Sequence, residues 1–161
     1  MFDTFSNRLV IEGSLVARTA LRVGTGRTTE PVGTDLPVIR DALGRPFIPG
    51  SSFKGVLRAR VESFMRAVVP DGRLGACIPT GDEADRCIPN FEMADLRQQA
   101  TRERWDDARL ADEVWRRSCL ACRTFGSPWL ASHVQVRDLP VDSDLWFDQF
   151  QVRNGVAIDR D

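Results

Sequence analysis

Residues 35–58 read DLPVIRDALGRPFIPGSSFKGVLR, and this stretch organises the rest of the chain. Residues 36–40 are predicted to be extended, residues 41–45 to form a turn, and residues 46–48 to form a short apolar strand. A helix then begins at the segment PGSS, because a serine side chain can cap its first turn. This order of strand, glycine turn and helix start is typical of a site that holds a phosphate.

The predicted phosphate site lies at the first turn of this helix. Gly50 permits a close backbone approach, and Ser51 or Ser52 supplies the cap. The free N–H groups and the positive dipole end of the helix attract an anion. Lys54 and Arg58 are four residues apart, so both lie on one side of the helix, where they can add positive charge.

The same helix carries an apolar stripe. Its members recur at spacings of three and four residues: Phe53, Val56, Leu57, Val61, Phe64, Met65 and Val68. This spacing predicts one buried face. The alternative interpretation of the segment is therefore an amphipathic core helix with a solvated basic edge.

The remaining elements are predicted from periodicity and turn residues. Residues 8–23 alternate approximately between apolar and polar side chains, which predicts a long bent strand. Residues 91–117 are predicted to be helical. A helix end or a turn at residues 125–128 is followed by a predicted strand with Val134 and Val136 facing inward.

The quoted segments are similar to the signature of the CRISPR-associated RAMP superfamily. Residues 35–41 (DLPVIRD) and 46–58 (PFIPGSSFKGVLR) carry the resemblance, and residues 124–138 and 152–161 agree with it. Within the superfamily, the chain most resembles the repeated backbone subunit of type III effector complexes. The resemblance implies one α+β domain, residues 1–161, with a ferredoxin-like (RRM-like) core.

The resemblance also implies roles for the quoted residues. The first helical turn, Lys54 and Arg58 would bind the guide RNA, which pairs with a target RNA among other effector subunits. Asp35 matches the residue associated with cleavage of target RNA in this family. A carboxylate can take the proton of the attacking 2′-hydroxyl, or hold a hydrated Mg²⁺ or other divalent cation that does so. A loop aspartate beside turn residues is alternatively a backbone cap.

Four cysteines have the spacing of a metal site. Nine residues separate Cys77 from Cys87, and 31 residues separate Cys87 from Cys119, which forms a C-x2-C pair with Cys122. A close pair can bind one metal ion from a turn and the distant pair can complete a tetrahedron, which predicts a structural zinc site. A disulfide or a redox-active pair is the alternative. The site would lie on an insertion at residues 70–122, and similar zinc-binding insertions occur in some members of the resembled family.

The C-terminal segment is interpreted by resemblance. Residues 140–161 would begin a thumb-like hairpin that enters the guide–target duplex, although the sequence alone favours core positions for Phe147, Phe150 and Val152. Family members continue beyond the part that matches residues 154–161. We therefore expect the C-terminal half of the fold to be absent, with the chain a fragment, a partner to another chain, or one part of a split effector.

The composition permits RNA binding without demonstrating it. A net charge of −1 and a pI of about 5.9 are not the usual footprint of such a protein. Many arginines nevertheless lie in the N-terminal third, where a local positive surface can form. No apolar run is long enough for a membrane span and no signal peptide is recognisable, so we expect a cytoplasmic location.

The sequence thus predicts a guide-RNA-binding backbone subunit of a type III CRISPR ribonucleoprotein, with metal-dependent endoribonuclease activity toward target RNA. One alternative is a non-catalytic scaffold subunit, in which Asp35 is a loop cap. Another is a guide-processing endonuclease of the same superfamily, which would more naturally use a histidine. The single histidine, His133, is more typical of a structural residue in a strand than of a general base.

Overall fold

The computed structural model describes residues 6–25, 37–69, 75–147 and 150. These residues form four α-helices and one two-stranded antiparallel sheet, which confirms the predicted α+β class. They group into two compact units. The first contains the described parts of Met1–Val16 and Gly50–Arg137, and the second contains those of Ala17–Pro49 and Asp138–Asp161.

The first unit carries all four helices. They are α1 (Gly50–Val68), α2 (Asn90–Glu103), α3 (Asp107–Arg117) and α4 (Leu120–Phe125). A short 3-10 helix, Glu83–Asp85, precedes α2. Helix α1 packs against α4, and α2 packs against α3.

The predicted helical stretch at residues 91–117 is confirmed, but it is divided into two helices. Helix α2 ends at Glu103, and the next residue, Arg104, adopts a left-handed backbone conformation with φ of 52°. Helix α3 then begins because the Asp106 side chain accepts a hydrogen bond of 2.8 Å from the backbone N–H of Arg109. Of the helix end or turn predicted at residues 125–128, the structure shows the helix end, since Gly126 follows α4 with φ of 92°.

The core of the first unit consists of two small clusters. One contains Ala76, Cys77, Cys119, Ala121 and Cys122, and the other contains Ile88, Met93, Leu96, Val114 and Leu130. Both clusters have Cys87 at their margin. The cysteines are therefore part of the packing of this unit as well as candidate ligands.

The predicted burial of the apolar stripe on α1 is confirmed for one part of it and wrong for the rest: Met65 packs against the core cluster that contains the cysteines, whereas other members are exposed. Val56, Phe64 and Val68 are 72%, 64% and 59% exposed, whereas Glu62 is only 8% exposed. The charged side of the helix is turned inward because its hydrogen-bonding groups find partners on α4 and the loops around it. Spacing alone could not reveal those partners.

The second unit contains the predicted turn and short strand. The Asp41 carboxylate accepts hydrogen bonds of 2.9 Å from the N–H groups of Leu43 and Arg45, and Gly44 closes the turn with φ of 79°. The backbone hydrogen bond from Arg45, with smaller contributions from its side chain, lowers the pKa of Asp41. Strand β1 (Phe47–Ile48) follows this turn, as expected, and pairs with β2 (Leu139–Pro140).

Two predicted strands are not found in the described part of the chain. Residues 8–23 form no strand there, and Leu9 and Ile11 are 83% and 85% exposed. Residues 131–138 also form no strand, although β2 begins directly after them. Alternation favours a strand only where a neighbouring strand completes its backbone hydrogen bonds. The ferredoxin-like sheet therefore stays a prediction.

Among the described residues, no helix combines the length and the apolar composition that crossing a membrane requires.

The first testable prediction concerns Gly50, the first residue of α1. A Cβ atom at this position would overlap the carbonyl oxygen of Val136 and lie 2.7 Å from that of Arg137. We expect Gly50→Ala to lower the free energy of unfolding by about 1–3 kcal/mol, because backbone atoms must move. Urea denaturation of the purified chain measures this loss.

The matched control is Gly55→Ala in the same helix, where a Cβ atom would meet nothing within 4 Å. This substitution is expected to raise the free energy of unfolding by about 0.5–1 kcal/mol, because alanine favours a helix interior. Equal effects of the two substitutions would contradict the close approach of the 136–137 backbone to α1.

Candidate metal centre and the adjoining helix

The four cysteine sulfurs converge on one place in the first unit. The Sγ atoms of Cys77, Cys87, Cys119 and Cys122 all lie within 4.8 Å of one another. The Sγ atoms of Cys77 and Cys122 are 3.6 Å apart. Three of the residues are buried and Cys87 is partly buried. The structure therefore brings together all four residues that the sequence predicted as metal ligands.

The start of α4 explains the local arrangement of the C-x2-C pair. Cys119 precedes the helix, and its Sγ accepts a hydrogen bond of 3.4 Å from the N–H of Cys122. Residues three apart at a helix start lie on one side, so both sulfurs face the same space. The N–H of Ala121 donates to the carbonyl of Gly75 across 3.2 Å, which holds the chain before Cys77 against this helix.

The donor set fits a tetrahedral metal ion. Four thiolates at the usual Zn–S distance of about 2.3 Å place their sulfurs roughly 3.8 Å apart. The four sulfurs here lie within 4.8 Å of one another, so small side-chain movements suffice. Soft thiolate ligands favour zinc over magnesium or calcium. These cysteines could therefore bind a metal ion such as zinc.

The thiols influence one another even without a metal ion. Hydrogen bonds from Cys122, and then from Cys77 and Cys87, lower the pKa of Cys119. The hydrogen bond with Cys119 raises the pKa of Cys77, but those with Cys122 and Cys87 outweigh it and the pKa falls to about 7. The hydrogen bond with Cys119 raises the pKa of both Cys87 and Cys122. A metal ion binds cysteine as the thiolate, so these ligands must lose their thiol protons when an ion binds.

Helix α1 presents charged side chains to this centre. Arg58 donates from Nε to Glu62 Oε1 at 2.7 Å, from Nη1 to the Gly126 carbonyl at 3.0 Å, and from Nη2 to Cys122 Sγ at 3.8 Å. Burial lowers the pKa of Arg58, but the hydrogen bond and charge of Glu62 and the nearby Cys122 raise it overall. The guanidinium therefore stays charged beside the cysteines.

A second arginine of α1 contacts the backbone of Cys77, another of the four cysteines. Arg66 Nη1 donates to the Cys77 carbonyl at 3.2 Å and lies 3.9 Å from Glu62 Oε2. Neither Glu62 nor Arg66 was predicted as a functional residue from the sequence. The sequence pattern that could have identified them is the series of charged residues at intervals of four along α1, which begins with Lys54 and Arg58.

The predicted RNA-binding residues occupy different environments. Gly50 is buried, whereas Ser51 and Ser52 are exposed at the start of α1. Lys54 Nζ donates to Ser132 Oγ at 2.7 Å, and this partner is neutral. Arg58 faces the cysteines as described above. The predicted catalytic residue, Asp35, lies outside the described residues, so its role stays a prediction.

The other predicted functional residues are partly described. His133 is exposed, and its ring lies 5.4 Å from that of Trp115 in an edge contact. In the second unit, Phe150 is partly buried and contacts Trp146, whereas Phe147 is 79% exposed. Residues 148–149 and 151–161 lie outside the described residues. The thumb-like hairpin therefore stays a prediction.

Comparison with known proteins gives two informative relatives. The chain is 44% identical over 71 residues to the "CRISPR system Cms endoribonuclease Csm3" of Methanocaldococcus jannaschii, covering 44% of this chain and 29% of that protein. It is 36% identical over 77 residues to the protein of the same name from Methanothermobacter thermautotrophicus, covering 45% and 31%. The matched segments thus span under a third of each relative.

The family assignment is broader than these local similarities. The family model of the RAMP superfamily matches residues 14–161, a range that includes α1, all four cysteines and both strands. That range is most of the chain, and it agrees with the signature that residues 35–58 carry. The chain therefore belongs to the RAMP superfamily.

Proposed function

We propose that this chain is a guide-RNA-binding backbone subunit of a type III CRISPR ribonucleoprotein and that it takes part in cleavage of the complementary target RNA. The observation that carries the proposal is the 44% identity over 71 residues to a protein named as a CRISPR endoribonuclease. Base pairing between guide and target supplies the sequence specificity, while the protein binds backbone and shape. Other effector subunits and a cytoplasmic location are part of this proposal.

The start of α1 supports the RNA-binding part of the proposal. Ser51 and Ser52 are exposed there, so their hydroxyl groups and the first N–H groups of the helix can meet a phosphate. Lys54 is hydrogen-bonded to a neutral hydroxyl, so no carboxylate neutralises its charge in that contact. Arg58 remains a predicted RNA contact, but Glu62 already pairs with its charge. Lys54 is therefore the better source of attraction for phosphate.

The cleavage part of the proposal depends on Asp35. Attack by a 2′-hydroxyl requires removal of its proton and stabilisation of the charge that develops on the phosphate. A single carboxylate can bind a hydrated Mg²⁺ ion, which keeps most of its waters and can serve both needs. The remaining requirement is an in-line geometry, which the protein imposes by splaying the RNA.

The cysteine centre would hold a structural zinc ion in the insertion at residues 70–122. Four thiolates complete a tetrahedron, so no position remains open for a reacting water. The ligands come from the loop that contains Cys77, from the segment after the 3-10 helix, and from the start of α4. Zinc would join these segments inside a ferredoxin-like RAMP domain.

The prediction for Asp35 concerns target cleavage by the assembled, guide-loaded complex. We expect Asp35→Ala to slow cleavage in Mg²⁺ by at least about 100-fold, because a general base or its metal ion is removed. EDTA should have the same effect on the wild type. Denaturing gels that resolve regularly spaced RNA products provide the measurement.

Asp95→Ala is the control, since Asp95 is an exposed carboxylate on α2 of the same chain. Guide binding should be unchanged in both variants. Full cleavage by Asp35→Ala would assign the chemistry to another subunit and leave this chain as a scaffold.

The prediction for Lys54 separates an RNA contact from a folding role. Lys54→Gln should weaken binding of guide RNA and reduce the slope of log K against log salt by about 0.7, as expected for one lost phosphate contact. Ser132→Ala removes the internal partner of Lys54 but keeps the ammonium. Filter binding at several salt concentrations compares the two variants.

Ser132→Ala should therefore bind RNA at least as tightly as the wild type. Equal weakening by both substitutions would show that Lys54 acts through the fold of the first unit and would refute its direct contact with RNA.

The prediction for the cysteines concerns metal content. The wild type should contain about one zinc ion per chain, and Cys119→Ser should contain close to none, because one thiolate of the tetrahedron is lost. Elemental analysis after dialysis gives the ratio. Thermal unfolding should show a similar loss of stability in Cys119→Ser and in the wild type treated with a chelator, since metal binding contributes folding free energy. Full zinc content in Cys119→Ser would contradict the site.

A further inference from the structure

The guanidinium of Arg58 uses all three of its nitrogens inside the protein. Nε contacts a carboxylate, Nη1 contacts a backbone carbonyl, and Nη2 lies 3.8 Å from Cys122 Sγ. Its side chain is 23% exposed. Because the planar fork is fixed at two points by Glu62 and Gly126, the third nitrogen is directed at the sulfur.

The charge of a zinc-bound cysteine centre would favour the contact between Arg58 and Cys122. Zinc bound by four thiolates leaves two negative charges on the centre. An N–H donor at one sulfur withdraws electron density from it and offsets part of this charge. Among the described residues, Arg58 is the cationic side chain that hydrogen-bonds to a cysteine sulfur.

We propose that Arg58 is a positioning residue of the metal centre, which donates a hydrogen bond to the Cys122 thiolate and fixes that ligand on α4 relative to α1. The inference rests on the proposed zinc site. The position of Arg58 in the signature segment had suggested the guide RNA as its partner. The inference assigns it the Cys122 sulfur instead.

Glu62 holds Arg58 in place. This carboxylate is buried and pairs with Arg58 on one side, while Arg66 lies 3.9 Å away on the other. Arg66 in turn donates to the Cys77 carbonyl. Helix α1 therefore contacts the sulfur of Cys122 and the backbone carbonyl of Cys77. These two ligands belong to separate segments of the chain, and both are held by the same helix.

The test uses the purified chain with Zn²⁺ or Co²⁺ as the probe. Arg58→Met removes the donor, and we expect zinc affinity, measured by competition with a chromogenic chelator, to fall by about 10-fold to 100-fold. With Co²⁺ bound, the sulfur-to-cobalt charge-transfer band should move to longer wavelength, because the thiolate regains electron density. A role confined to folding would leave the position of this band unchanged.

Arg60→Met is the matched control, because Arg60 is an exposed arginine of the same helix. It should change neither the affinity nor the spectrum. Arg58→Met leaves Glu62 buried without its closest partner and can fail to fold for that reason. The pair Arg58→Met with Glu62→Gln, compared with Glu62→Gln alone, then supplies the same comparison with a neutral side chain at position 62.

The outcomes separate the two proposals. Wild-type protein that binds neither ion would refute the metal site itself. Wild-type protein that binds zinc while the Arg58 variants match their controls in affinity and spectrum would overturn the role of Arg58 alone. Lower affinity with an unmoved charge-transfer band would overturn the hydrogen bond to the thiolate, since Arg58 would then act only through the packing of α1.

Discussion

The convergence of four cysteine sulfurs is the constraint on which the first unit depends. The sulfurs come from segments that are distant in sequence, and they lie within 4.8 Å of one another at the junction of two small core clusters. Small hydrophobic cores supply little stability, so a metal ion or other covalent link often supplements them. The position of Cys87 at the margin of both clusters means that one ion would tie the two together. The burial of the other three thiols protects such an ion from exchange with solvent.

A second constraint is the buried carboxylate of Glu62, which lies on α1 beside the cysteines. A buried carboxylate is tolerated only when it is paired, and Glu62 is paired with Arg58 and lies near Arg66. The inward side of α1 combines this ion pair with Met65, which packs against the cysteine cluster, while Val56 is exposed. The helix therefore packs both by satisfying polar groups around the cysteines and by placing one part of its apolar stripe against the core.

Features formed by residues close in sequence could be predicted from the sequence, whereas contacts between distant residues could not. The C-x2-C pair, the Gly44 turn and the Gly126 helix end are local features, and their residue types suffice to predict them. The contact between Arg58 and Cys122 spans 64 positions, and no local pattern marks it. Strand pairing is also long-range, so alternation at residues 8–23 predicted a strand that the described chain does not form. The assignment of Asp35 had a different origin, because it came from family resemblance.

The contacts of α1 divide its basic residues into two kinds, and this division has a consequence for function. Lys54 lies near the exposed helix start and has a neutral partner, whereas Arg58 lies one turn further along with a carboxylate partner. A phosphate chain is attracted by charge that is not already compensated, so the first position suits RNA and the second suits the metal centre. Under the two proposals, the four-residue spacing that suggested a joint RNA contact would instead serve two partners. Because one rigid helix carries both positions, a metal ion that fixes Cys122 and Arg58 would also limit how far Lys54 can move from its place at the helix start.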